Sequence, residues 1–267
     1  MTASLPMYNL PGLRAANQAF WSALVGLLRV QGHGGLPDEI APDDWPIPDV
    51  LPPRLLFSQM CGYPLLTLYR GQYQVLATPS YAAPGCGPFT HKAFVVVRED
   101  DPAQTLADLR GRTFAINGRH SNSGMNLPRR LFAPLAREGR FFGEVVETGA
   151  HVRSLQQVLD GEADAASIDT VTWAFVGDHQ PAALEGLRVL AQTSDTPSIP
   201  FITGTATPPE LVEALRHALY AIGNEPAYAK VRQGLRLEAI GRLPDGAYEA
   251  ILTHERAAAA AGYSQIG

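Results

Sequence analysis

Three times between residues 112 and 176 the chain runs from an apolar stretch through a short polar turn into a stretch of helical periodicity, and that repetition limits the folds open to it. Residues 112–116 (RTFAI) lead into GRHSNSGMN and then a helix over 127–136. Residues 144–147 (EVVE) lead into Gly149, Ala150 and His151 and then a helix over 152–160, with Gly161 placed to end it. Residues 163–168 (ADAASI) lead into Asp169 and a helix over 171–176. Strands alternating with helices predict an α/β fold with a mostly parallel sheet, whose strand carboxyl ends lie on one edge. Ser121, Asn122, Ser123, Gly124, His151 and Asp169 are therefore expected to meet at that edge, where open α/β sheets hold ligands.

The same alternation opens the chain. Residues 3–8 read as a strand and 15–30 as an amphipathic helix, with Phe20, Leu24, Leu27 and Leu28 recurring on one face. A loop rich in Pro, Asp and Gly covers 32–53. Strands are predicted over 54–58, 75–78 and 93–97, with Pro64 suited to a first helical turn after Cys61 and Gly62. Residues 187–192 and 198–203 read as a chain crossing back, followed by helices over 209–222, 227–237 and 248–261, the last stopped by Gly262.

Length and composition agree with this outline. The 267 residues, 46% hydrophobic and 18% charged, suffice for one large domain or two small ones. A net charge of −5, with no Lys/Arg run longer than a pair, argues against a nucleic-acid partner. No apolar stretch reaches the roughly 18 residues of a membrane span. The start, MTASLPMYNLPG, has neither a basic nor an apolar signal region, so the chain as written reads as neither exported nor anchored. No metal site is expected, since no C-x-x-C or H-x-x-x-H pair occurs. Cys61 (QMCGYP) and Cys86 (PGCGP) lie in Gly/Pro-rich loops; a disulfide between them and two inert thiols are both open.

The polar turn at 118–126 carries chemistry. A helix starting near Ser123 leaves its first N–H groups without partners and a partial positive charge at its end. Ser121 and Ser123 add hydroxyls, and Gly124 lets a ligand approach the backbone. That is a receptor for an anion; the plain alternative is a serine N-cap with no ligand. Taken singly, His151 also reads as a helix-start residue and Asp169 as an N-cap, and only their shared placement points to a site. Near an anion, Asp169 is tolerable if the ligand brings its own cation or proton, or if a neighbour such as His151 compensates. Neither a P-loop nor a dinucleotide fingerprint is present, and no cofactor is expected.

The order S-N-S-G, then G-A-H, then G-E-A-D-A-A-S-I-D, then S-I-P-F resembles the substrate-binding proteins of phosphate, phosphite and phosphonate ABC transporters, members of the type 2 periplasmic-binding-protein fold. The resemblance is best over 55–201, with CGYP similar to the signature of a subgroup. It implies a two-lobed α/β protein binding a small oxyanion in a cleft between lobes, with an ABC permease as partner and a periplasmic location. Lobe 1 would be 1–96 plus 198–267 and lobe 2 97–197, with hinge crossings near Val97 and Ser194. Ser121, Asn122, Ser123 and Gly124 match the family's anion loop, although Asn122 stands where a hydroxyl residue is usual. His151 and Asp169 match its helix-start histidine and ligand-side aspartate. Tyr8, Gln59 and Tyr63 are the first-lobe candidates.

Two further classes fit the text. An enzyme on the same fold would use Cys61 as nucleophile with a histidine as base, yet His33, His91, His217 and His254, all assigned to the first lobe, have no predictable place beside it. A cytoplasmic ligand-sensing protein is the other.

Overall fold

The computed structural model describes residues 2–41 and 55–267; Met1, the 42–53 part of the expected loop and Arg54 of the expected strand lie outside the described residues. In chain order the elements are β1 (Thr2–Ala3), α1 (Arg14–Val30), β2 (Leu55–Gln59), α2 (Gly62–Leu66), β3 (Tyr73–Tyr81), β4 (Thr90–His91), β5 (Ala93–Arg98) and β6 (Thr113–Ile116). There follow α3 (Leu127–Phe132), β7 (Glu144–Glu147), α4 (His151–Leu159), β8 (Ala165–Asp169), α5 (Thr170–His179), β9 (Leu187–Gln192) and β10 (Thr196–Pro197). The chain closes with β11 (Phe201–Gly204), α6 (Pro209–Asn224), α7 (Ala229–Gly234), β12 (Leu237–Gly241) and α8 (Ala250–Ala260).

Two compact units divide these elements. The first comprises Met1–Ala82, Gly87–Thr90 and Pro197–Ala247. Its five-stranded sheet has the order β1-β2-β11-β3-β12. Helix α1 forms because Asn17, Phe20, Trp21, Leu24, Val25 and Leu28 fall on one face, and that face is buried. Phe20 stacks on Phe57 and Phe201 with ring centroids 6.3 and 5.4 Å apart, so the helix is fastened to the middle of the sheet through aromatic rings. Leu211, Leu215, Leu219 and Ile222 of α6 are buried by the same logic.

The second unit comprises Ala83–Cys86, His91–Thr196 and Tyr248–Gly267, around a sheet of order β7-β6-β8-β5-β9. Its core holds Phe114, Phe132, Phe141 and Phe142, with Phe114 and Phe142 stacked 4.4 Å apart. Helix α4 ends where Gly161 takes φ +75°, a left-handed cap that glycine adopts without a Cβ penalty.

Four expectations need correction. The sheets are mixed rather than mostly parallel: β6 runs parallel to β7 and β8, but β5 is antiparallel to β8 and β9, and β11 is antiparallel to β2 and β3. The antiparallel strands β5 and β11 each follow a point where the chain passes from one unit to the other. The helix expected over 227–237 is the short α7, after which 237–241 form β12, antiparallel to β3; a sheet edge outweighed helical periodicity. The strand expected over 3–8 is limited to Thr2–Ala3. The unit bounds also differ from 1–96 with 198–267 and 97–197, because the C-terminal segment is tied to the second unit: Asn126 Nδ2 donates to the Ile251 carbonyl (3.1 Å) and Arg129 Nη1 to that of Ser264 (2.8 Å).

Candidate functional site

The turn after β6 opens with an N-cap and a π turn. Ser121 accepts a hydrogen bond from the Gly124 N–H through its Oγ at 2.9 Å. Residues Asn122–Asn126 then wind as a π turn, with the Asn126 N–H donating to the Ser121 carbonyl at 3.0 Å, before α3 continues. A π turn leaves one more leading N–H without an intrahelical acceptor than an α-helix does, and such turns recur at functional positions. The cap therefore belongs to Ser121, which leaves the Ser123 hydroxyl for other work. Gly124 is required by a close approach: a Cβ there would stand 1.8 Å from Asn117 Oδ1.

Ser123 Oγ lies 2.9 Å from His151 Nε2, at the first residue of α4, and the Ser167 hydroxyl of β8 donates to the Ser123 carbonyl at 2.7 Å. Three successive strand ends are thus joined. Burial pushes the His151 imidazole down to about 4, only partly offset by the Asp169 charge, so it is neutral at neutral pH. A neutral imidazole has one donor and one acceptor nitrogen; with the proton on Nε2 it donates to Ser123 Oγ and leaves the serine O–H to point at an anion.

Asp169, last residue of β8, does two jobs. Its Oδ1 accepts from the Thr172 N–H at 2.8 Å, capping α5. Its Oδ2 lies 2.5 Å from His91 Nδ1, and both side chains are buried. Burial alone raises the carboxyl; the His91 charge and hydrogen bond, then His151 and the Thr172 N–H, bring it net below the usual carboxylate range. His91 was not among the expected site residues, and its first-lobe assignment, like that of His254, is corrected: both fall in the second unit. Its place follows from the antiparallel register that sets Ala93 opposite Asp169, 76 residues along the chain, and no local pattern announces that pairing.

The Asn122 side chain is engaged in structure, donating to Thr196 Oγ1 and accepting from Asn126 Nδ2, both at 2.9 Å. In the first unit, Tyr8 packs edge-on against Tyr81 with centroids 5.5 Å apart, and Gln59 Nε2 donates to the Tyr81 hydroxyl at 3.1 Å. Tyr81 thus joins two expected residues without having been singled out. Tyr63 is buried in α2. Cys61 and Cys86 are both thiols, so the disulfide alternative does not hold; Cys86 Sγ lies 3.6 Å from Thr170 Oγ1. Among the described residues no His/Cys/Asp/Glu group is arranged to hold a metal ion, and no helix is long and apolar enough to cross a membrane.

Residues 57–248 match the family model described as ABC transporter, phosphonate, periplasmic substrate-binding protein. No curated protein matches the chain. Among solved structures, the chain is similar to the binding-protein component of an ABC phosphonate transporter from Pseudomonas aeruginosa, at 15% identity over 98% of this chain and 87% of that one, TM-score 0.73. A Xanthomonas citri protein bound to ATP gives 15% identity over 98% of both chains, TM-score 0.65. A Prochlorococcus marinus protein in complex with methylphosphonate gives 13% identity over 89% of this chain and 82% of that one, TM-score 0.62. At such identities the structural likeness speaks to the fold, and the family model, which spans more than half of the chain, speaks to descent: the chain belongs to the periplasmic substrate-binding protein family of phosphonate ABC transporters.

Proposed function

We propose that this protein binds a small tetrahedral oxyanion, a phosphonate, phosphite or phosphate, and delivers it to an ABC permease in the periplasm. The observation that carries this reading is the meeting of three strand ends in the second unit, where the Ser123 hydroxyl is paired with a neutral His151 at the mouth of a capped π turn. Backbone N–H groups and a hydroxyl make a donor-rich surface with a partial positive charge, suited to phosphoryl oxygens. Methylphosphonate in the Prochlorococcus marinus relative and ATP in the Xanthomonas citri relative share that oxygen chemistry. Tyr8, Gln59 and Tyr63 are proposed as further contacts. The role is capture, with no bond made or broken in the ligand.

A thermal-shift screen over methylphosphonate, 2-aminoethylphosphonate, phosphite, phosphate, sulfate and small carboxylates tests it. A ligand at 100 times its Kd stabilises the native state by about 2.7 kcal/mol, so a true ligand raises Tm clearly. Stabilisation by carboxylates alone, with none from phosphorus oxyanions, would refute the proposal.

A further inference from the structure

We infer that His91 makes this site selective for oxyanions without an ammonium group, because it occupies the carboxylate that such a group would need. The inference rests on the proposed binding at the Ser123–His151 turn and names which members of that ligand class are accepted.

A ligand that pairs a phosphonate with an ammonium must find an anion for its cationic end, since an unpaired charge taken out of water is costly. On the strand-end edge of the second unit that anion would be Asp169. Yet Oδ2 is held by His91 Nδ1 at 2.5 Å and Oδ1 by the Thr172 N–H at 2.8 Å. The Asp169 side chain is only 2% exposed and that of His91 3%. Each oxygen keeps a second lone pair, but because the side chain is buried behind His91 an incoming ammonium reaches it only by displacing that imidazole, losing one charge-assisted hydrogen bond to gain another. Among the described residues the other buried carboxylate of the second unit is Asp101, which accepts from Arg112 Nη1 at 2.9 and 2.8 Å through its two oxygens and from the Ala103 N–H at 2.8 Å. The same arrangement favours a plain oxyanion. With one lone pair of each oxygen turned into His91 or the α5 cap and the side chain buried, Asp169 presents little open negative surface to repel the ligand.

Titration calorimetry with methylphosphonate and 2-aminoethylphosphonate, on the wild type and on His91→Asn, tests this. The wild type is expected to prefer methylphosphonate at least tenfold, and His91→Asn to shift the ratio toward the amine by tenfold or more, because the shorter side chain no longer covers Asp169 as the imidazole does. A wild type that prefers the amine, or a ratio within twofold of wild type in a folded His91→Asn, overturns the inference. If circular dichroism finds His91→Asn unfolded, Asp169→Asn takes its place: a ratio within threefold of wild type supports the inference, and a larger loss confined to the amine overturns it. Preference for the amine leaves the proposed oxyanion function standing, whereas a wild type that binds no phosphorus oxyanion overturns both.

Discussion

Lowering the pH from about 7 to about 5 should weaken the folded state through His151 by about 2 kcal/mol. In the unfolded chain this imidazole takes up a proton near its ordinary 6.5, whereas in the folded protein burial holds it back until about 4. Between those values the unfolded state binds the extra proton, so stability falls as the pH falls. Each pH unit inside the window contributes up to about 1.4 kcal/mol, and the first half unit below neutrality contributes little because the unfolded imidazole is then mostly unprotonated. His254 is lowered in the same direction by burial and by Arg130, so the wild-type slope alone does not isolate His151. The informative quantity is the difference between the wild type and His151→Gln, which keeps a donor near Ser123 Oγ and cannot titrate. Urea denaturation followed by circular dichroism at both pH values gives each stability. The wild type should lose about 2 kcal/mol more than the variant on acidification. An equal loss in both proteins would mean that His151 takes its proton as freely in the folded state as in water, and the account of Ser123 held by a neutral imidazole would fail.

Other substitutions separate capping from binding. Ser121→Ala should cost about 1 kcal/mol of stability by removing the cap on Gly124, read as a lower urea midpoint. Ser123→Ala should instead weaken binding of the best oxyanion by about 1 to 3 kcal/mol in calorimetry, and unchanged affinity would remove Ser123 from the site. Gly124→Ala forces Asn117 Oδ1 away from 1.8 Å; a loss of about 1 to 3 kcal/mol is expected, with Asn117→Ala in the same chain restoring part of it. Gly223→Ala, in α6 of the first unit, should lower stability by a similar amount without altering affinity for the oxyanion held in the second unit, because its Cβ would meet the Ile240 backbone nitrogen at 2.5 Å.

Much of the second unit was legible because its signals are local. The strand at 144–147, the helix closed by Gly161 and the polar turns holding Ser121, His151 and Asp169 follow from periodicity, capping and glycine placement, each decided within a few residues. Which serine would cap and which would face His151 was not legible, since a start two residues later would have made Ser123 the cap instead of Ser121. The partner of Asp169 was further out of reach. His91 meets it only because β5 runs antiparallel to β8 in one particular register, and strand register is fixed by packing across the whole sheet rather than by the residues on either side of a strand. Likewise the C-terminal segment joins the second unit through hydrogen bonds from Asn126 and Arg129 that span more than a hundred residues. Local sequence thus determined the strand ends and the kind of chemistry they carry. Tertiary pairing decided that the carboxylate among them is already occupied, because only the folded sheet brings a buried imidazole to within 2.5 Å of it.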